Sequence, residues 1–213
     1  MISPNFPDEK LDNPSLEDLI DVFEDRVRWW LLVPAQALLQ IPHGFVSAMC
    51  VLLTYFEGHA IYRRGEDSKG RSKVFFREAF ADVFRDAKVK PILLESLSDA
   101  LYEDARCGFF HDGTARDRIL FSDKFDAEFI VTVPRVAGQP DETGAIQSVL
   151  VNPKSFHRAV QTHFVSYIKM LRDANNLGLR ANFKAAVEAK WSPRTSVSIG
   201  MSESEFNKGS TTT

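Results

Sequence analysis

An arginine and a histidine stand five positions apart in "DARCGFFHDG", residues 104–113. The guanidinium of Arg106 is permanently charged and can hold phosphate oxygens through two parallel hydrogen bonds. The imidazole of His111 can take up or release a proton near neutral pH. The pair is therefore suited to a reaction in which a proton moves while negative charge develops on a phosphate group.

The elements around this pair predict that it lies near the end of a helix. Pro91 opens an amphipathic run with leucines at three- and four-residue steps, and this run leads to Arg106. Gly108 can loosen the helix, and Asp112–Gly113 predicts its end. A helical residue turns by about 100°, so a straight helix holds the two side chains about 140° apart. Either the helix breaks and the pair converges, or the pair works with the copies of a second subunit.

Apolar residues at three- and four-residue steps predict helices along most of the chain. We expect helices over residues 13–33, 45–63, 75–84, 91–106, 153–171 and 183–191. Asn13–Pro14 and Asn152–Pro153 each supply a cap followed by proline at the first helical position. A short helical piece or an irregular link is expected between Pro34 and Pro42. The fold class is therefore mainly α, a bundle of about five or six helices.

The pattern changes after the fourth helix. The segments "FIVTVPR" and "AIQSVLV" alternate in polarity and are rich in β-branched residues, and "RILFS" is a third strand candidate. We expect a small antiparallel β-insertion at about 118–151. The predicted organisation is an N-terminal arm over 1–12, a single helical domain over 13–192 and a flexible C-terminal tail over 193–213.

Composition and charge limit the classes of function. The 213 residues are 44% hydrophobic and 26% charged with a net charge of −3, so contact with nucleic acid requires a local basic patch. Two cysteines without a CxxC pattern predict neither a disulfide framework nor a structural zinc site, as expected for a cytoplasmic protein. The most apolar stretch, Phe45–Phe56, is shorter than the ~20 residues of a membrane span, and we expect a buried helix there.

A local basic patch is found around a glycine loop. Its members are Arg63, Arg64, Lys69, Arg71 and Lys73. They can hold an RNA backbone, since phosphate contacts require only local positive charge, or they can form a solvated charge run. The segment "GEDSKG" lacks the ending of a nucleotide-binding P-loop and is flanked by predicted helices.

Other polar residues have two interpretations each. Glu57 lies in "YFEGH" and can orient Arg106 across the bundle, or it can be solvated. His59 is either an accessory polar group or an ordinary interhelical histidine. Cys107 is an accessory candidate because it adjoins Arg106, although nothing predicts that it is a nucleophile. The remaining histidines have no ligand spacing and are interpreted as surface or packing residues, and no metal site is predicted: His43, His157 and His163.

Three segments resemble one known family. "RCGFFH" fits the arginine–four-to-six–histidine motif of HEPN domains. "YFEGHAIYRRGEDSKGRSKVFFREAF" resembles the two helices before that motif in a bacterial HEPN-like family, and "LVNPKSFHRAV" resembles the entry into its closing helix. The resemblance extends from Leu16 to Trp191. It implies a HEPN-like helical bundle that forms a homodimer, with two copies of Arg106 and His111 at the interface.

The resemblance also implies a function. Many HEPN domains are metal-independent endoribonucleases without a cofactor, and bacterial members act as toxins or defence effectors, which implies an RNA substrate and an antitoxin or other protein partner. Residues after the arginine are often polar in active members, whereas this chain has Cys107. The alternative is therefore a catalytically inactive HEPN-like scaffold that binds RNA or protein. In a third interpretation, Arg106 only pairs with Glu103 or Asp99 and His111 only caps its helix.

Overall fold

The computed structural model describes residues 2–87 and 89–191, and this part of the chain is mainly helical. Two π-helical turns each join two α-helices without a break, so the described ranges form six continuous helical rods. One turn, Arg28–Leu32, joins the helices Leu16–Val27 and Val33–Leu38, and the other, Leu101–Arg106, joins Pro91–Ala100 and Cys107–His111. The predicted mainly α class is therefore confirmed. The helices are α1 (Leu16–Val27), α2 (Val33–Leu38), α3 (Phe45–Arg64), α4 (Ser72–Val83), α5 (Pro91–Ala100), α6 (Cys107–His111), α7 (Pro153–Arg172) and α8 (Leu177–Lys190).

Capping side chains explain two helix starts. Asn152 caps α7, because its side chain accepts hydrogen bonds from the backbone N–H groups of Lys154 and Ser155, as predicted. The predicted cap of α1 at Asn13 is wrong. Asn13 has a left-handed backbone with φ 61°, and Ser15 is the cap instead. Ser15 forms a reciprocal capping box with Asp18, which satisfies two backbone donors at once.

The helix predicted to end at about Val33 continues further, and of the two alternatives for the segment between Pro34 and Pro42 the short helical piece is the one found. The first rod continues through this proline as α2, which extends to Leu38. A π-helical turn precedes Pro34, and within it the N–H of Val33 bonds to the carbonyl of Arg28, five residues back. Such a turn changes the hydrogen-bond ladder just where proline lacks a donor, so the rod continues.

Helix α3 is the central element of the bundle. It packs against α2, α4, α7 and α8. Phe56 of α3 is fully buried, and its ring centroid lies 5.0 Å from that of Phe76, 5.4 Å from Phe80 and 5.7 Å from Phe156. Each buried phenylalanine contributes about 1.5–3 kcal/mol through the hydrophobic effect. By length and composition α3 is the one helix of the described ranges that can cross a bilayer, but here it is a core helix.

The β-insertion is a mixed sheet and not the antiparallel sheet predicted. The main sheet contains β1 (Ile119–Phe121), β2 (Phe129–Thr132) and β5 (Ser148–Val151), in the order β1-β5-β2. Strand β2 is antiparallel to β5, but β1 is parallel to it. A period of two residues predicts which face a side chain takes and not the direction of the neighbouring strand, so the sequence pattern could not show this. A separate hairpin joins β3 (Arg135–Val136) to β4 (Gln139–Pro140).

The first residues pack against α1. The backbone N–H and side-chain amide of Asn5 donate to the carboxylate of Asp25 at 2.9 and 2.7 Å, and Arg26 donates to the carbonyl of Ile2 at 2.7 Å. The predicted arm is therefore in contact with the bundle over its described part. The predicted flexible tail, residues 193–213, lies outside the described residues.

Candidate functional site

Arg106 is held by a carboxylate from the neighbouring helix α3. Its Nη2 donates to Glu57 Oε2 at 3.2 Å, and Glu57 Oε1 also accepts a hydrogen bond from Ser68 at 2.7 Å. The guanidinium lies over the rings of Tyr102 and Phe110, 5.4 and 5.2 Å from their centroids. Cation–π contacts of this kind are worth about 0.5–1 kcal/mol each at exposed sites. Arg106 is thus oriented across the bundle by Glu57.

The local pairing of Arg106 with Glu103 or Asp99 is not found. Those two carboxylates instead contact Lys73 of α4, at 2.6 and 3.2 Å. The side chain of Arg106 remains 28% exposed, so a ligand can reach it. A fixed and accessible guanidinium is what phosphate recognition requires.

The helix does not break between Arg106 and His111. The π-helical turn passes directly into α6, whose last residue is the exposed His111. Gly108 serves a close approach and does not loosen the helix, because a Cβ there would lie 2.6 Å from the carbonyl oxygen of Thr114. The helix ends as predicted, with Gly113 in the left-handed conformation at φ 75°. Within one chain the two side chains therefore keep the divergence of about 140° expected for a helix.

The surface next to the motif contains an exposed aromatic ring. Phe110 is 60% exposed although it is apolar, and Cys107 is half-buried. The following loop is fixed by ionic contacts, since Arg118 pairs with the buried carboxylate of Asp104. The motif is therefore a rigid helix end with a charged, a titratable and an aromatic side chain.

Most of the predicted basic patch is paired with carboxylates. Arg63 contacts Asp82 at 2.6 Å and Arg64 contacts Glu78 at 2.8 Å. Arg71 contacts Glu66 at 2.9 Å, and Lys73 is held by Glu103 and Asp99. Lys69 has no carboxylate partner within residues 2–87 and 89–191. The patch is therefore less positive than its sequence indicates.

A second polar cluster lies on another face of α3, and the sequence did not predict it. His59 of α3, Asp82 of α4 and His163 of α7 bring three possible metal-ligand atoms within 4.8 Å of one another. Asp82 Oδ2 lies 3.1 Å from His163 Nε2 and 3.6 Å from His59 Nε2. Both imidazoles therefore point an Nε2 atom at one carboxylate oxygen.

The cluster is largely buried by tertiary packing. His59 is 3% exposed, and the side chains of Asp82 and His163 are 7% and 12% exposed. Tyr55 shares a hydrogen bond of 2.9 Å with His163 Nδ1. Among the described residues, neither ring nitrogen of His59 has a hydrogen-bond partner, and the buried hydroxyl of Tyr167 has none either. Such groups cost free energy when buried, so this cluster is unusual.

The charge state of the cluster follows from its burial and its contacts. Burial lowers the pKa of His59 to about 4, so its imidazole is neutral at pH 7. Burial alone would raise the pKa of Asp82, but its contacts with His163, His59 and Arg85 and the charge of Arg63 hold that pKa below its usual value. The cluster thus combines a neutral histidine with an ionised carboxylate.

The sequence contained only a weak signal for this cluster. His59, Asp82 and His163 are far apart along the chain, so no ligand spacing relates them. His59 and His163 adjoin the buried residues Ala60 and Phe164 of their helices, and Asp82 adjoins the half-buried Val83. The available signal was that each of three helices carries one polar residue beside its apolar stripe. The interpretation of His163 as a surface or packing residue missed this contact.

Comparison with known proteins identifies no family for the chain. No family model matches the sequence, and no curated protein or solved structure matches it.

Proposed function

We propose that this protein is a metal-independent endoribonuclease of the HEPN type, with Arg106 and His111 from two subunits at a homodimer interface. The observation that carries the proposal is the unbroken helix from Arg106 to His111, with the arginine fixed by Glu57 and the histidine exposed. Two side chains that diverge on one helix can meet a single phosphate when a second copy supplies the missing partner. A two-fold axis through the helix ends provides this arrangement.

The proposed chemistry uses the nucleophile that RNA itself carries. One histidine takes the proton of the ribose 2′-OH, and the oxygen attacks the adjacent phosphorus. The bond from phosphorus to the 5′-oxygen breaks, and the histidine of the other subunit protonates that leaving oxygen. The guanidinium of Arg106 opposes the negative charge that develops on the phosphate. The products are a 2′,3′-cyclic phosphate and a 5′-hydroxyl.

An aromatic side chain supports this proposal beyond the motif. Phe110 is exposed beside Arg106, and an exposed apolar ring at this place can be covered by a second subunit. In this proposal the protein is a bacterial toxin or defence effector of the cytoplasm, and an antitoxin or other protein partner controls it.

The test is an RNA cleavage assay with the full chain and its His111→Ala variant. Loss of a general acid or base lowers the rate by about 10²–10⁴-fold, and the variant should remain folded because His111 is exposed. Each protein is checked for folding by circular dichroism and for dimerisation by sedimentation. Equal cleavage by a folded, dimeric His111→Ala protein would refute the proposed role.

A second candidate is a catalytically inactive HEPN-like scaffold that binds RNA or protein. Cys107 occupies a position that is often polar in active HEPN domains. Absence of cleavage on structured and single-stranded RNAs by the wild-type protein, together with a stable dimer, would favour this candidate.

A further inference from the structure

We propose that His59, Asp82 and His163 bind a divalent transition-metal ion such as Zn²⁺, at a site separate from the Arg106–His111 motif. Two imidazoles and one carboxylate from three helices form a nitrogen and oxygen ligand set suited to this class of metal. Nothing in the ribonuclease proposal requires this ion.

The two distances from the Asp82 carboxylate fit a shared ion. Zinc–nitrogen and zinc–oxygen bonds of about 2.1 Å place neighbouring tetrahedral ligand atoms about 3.4 Å apart. The observed separations from Asp82 Oδ2 are 3.1 Å to His163 Nε2 and 3.6 Å to His59 Nε2. The longer of these is too long for a hydrogen bond, and it leaves the buried Nε2 of His59 without a partner among the described residues. A metal ion would give this nitrogen a ligand role.

The surroundings fit as well. A metal-bound histidine usually directs its other ring nitrogen to a hydrogen-bond partner, and Tyr55 occupies that place at His163 Nδ1. The hydroxyl of Tyr167 is buried without a partner in the described ranges, and its ring packs edge-on to His59 at 4.6 Å between centroids. Two clefts of about 500 and 590 Å³ reach the cluster, one lined by Asp82 and His163 and the other by His59.

The two arginines beside Asp82 make it possible to distinguish a metal site from an ion-pair network by experiment. Arg63 and Arg85 both contact Asp82, and these cations oppose the entry of a metal ion. Their side chains are 47% and 64% exposed, so both can turn into solvent when the ion binds. Replacing Arg63 with glutamine should therefore tighten metal binding, whereas it should only weaken the fold if the cluster is no more than an ion-pair network.

The experiment measures Zn²⁺ binding to the chelator-treated full chain by calorimetry and Co²⁺ binding by its visible absorption. We expect one ion per chain and a rise in melting temperature, because an ion that binds the folded state stabilises it. Asp82→Asn and His163→Gln should each weaken binding by more than the roughly 10–100-fold that loss of an outer partner costs, and Tyr55→Phe should fall within that range. Arg63→Gln should bind more tightly than wild type.

His43→Asn is the matched control. His43 is exposed and has φ 62°, a conformation that asparagine tolerates, so this variant loses an imidazole without disturbing the cluster. It should bind one ion with unchanged affinity. The proposal is overturned if folded wild-type protein binds no stoichiometric ion, or if Asp82→Asn and His163→Gln bind as wild type does. Because the readout is binding and melting temperature, this outcome leaves the ribonuclease proposal unaffected.

Discussion

Glu57 and His59 lie two residues apart on α3 and make contacts on different sides of it. The carboxylate of Glu57 contacts Arg106 at 3.2 Å, whereas His59 Nε2 lies 3.6 Å from Asp82 Oδ2. Two helical residues turn by about 200°, so this divergence follows from the helix itself. One core helix thus positions both candidate sites.

The first prediction concerns Glu57. Glu57→Gln should lower kcat for RNA cleavage by roughly 10–100-fold with little change in KM, because a charge-assisted hydrogen bond contributes about 1.5–3 kcal/mol. Glu103→Gln is the control, since Glu103 lies on the same π-helical turn as Arg106 but contacts Lys73 and not Arg106. Equal kinetics for Glu57→Gln and wild type would show that Glu57 does not position the arginine for catalysis.

The second prediction tests whether the active site is shared between subunits. The proposed reaction uses His111 of both subunits, so a mixed dimer of wild-type and His111→Ala chains should be inactive. Without exchange, half of the dimers in an equal mixture are wild type, whereas after random exchange about a quarter are, so exchange should halve the activity. Activity that stays unchanged after verified exchange would mean that each histidine acts without the copy of the other subunit.

The third prediction concerns the dimer itself. Sedimentation at micromolar concentration should show a homodimer, and Phe110→Ser should weaken it because the ring is 60% exposed beside the motif. Ile130→Ser is the control, since Ile130 is 45% exposed on β2. A wild-type monomer would contradict the proposed interface.

The fourth prediction concerns two helical glycines. Gly108→Ala should destabilise the protein by about 1–3 kcal/mol, since the added methyl group would overlap the carbonyl of Thr114. At about 2–4 °C per kcal/mol the melting temperature should fall by several degrees. A Cβ at Gly58 meets nothing within 4 Å, so Gly58→Ala should stabilise the fold by about 0.5–1 kcal/mol. Thermal unfolding of both variants checks the pair, and equal shifts would disprove the role given to Gly108.

The fifth prediction concerns the basic patch. Lys69→Gln with Arg71→Gln should reduce the salt dependence of RNA binding, by about one unit of slope for each phosphate that the protein no longer neutralises. Lys184→Gln on α8 is the control for a general decrease in positive charge. The fold should change little, because exposed ion pairs contribute at most about 1 kcal/mol. An unchanged slope would show that the patch does not bind the RNA backbone.

The helices were predictable because their signals are local. Pro91, Asn152 and Gly113 set helix ends through their own backbone chemistry, and the apolar steps indicated six rods. The path through Pro34 was not predictable, since the π-helical turn before it has no distinctive sequence. The direction of β1 depended on its partner and not on its own residues.

The two candidate sites also differ in whether a local sequence signal or tertiary packing determines them. Arg106 and His111 share one short motif, whereas the sequence left open whether Glu57 contacts Arg106 or is solvated, and the packing of α3 decides for the contact. The cluster of His59, Asp82 and His163 requires three helices to pack together, which no spacing along the chain encodes. Which carboxylates neutralise the basic patch was likewise decided by tertiary contacts.

The π-helical turn at Leu101–Arg106 has a consequence for how this chain tolerates insertions and deletions. Such a turn holds one more residue than an α-helical turn. Removing one residue from it would restore an α-helical ladder and leave α6 close to its present orientation, because the deletion takes away only the extra residue of the turn. A deletion in the α-helical part of α5 would instead rotate Arg106 by about 100° and take it away from Glu57. Among homologous chains, a one-residue gap is therefore compatible with this arginine–glutamate pair when it lies within the turn, but not when it lies in α5.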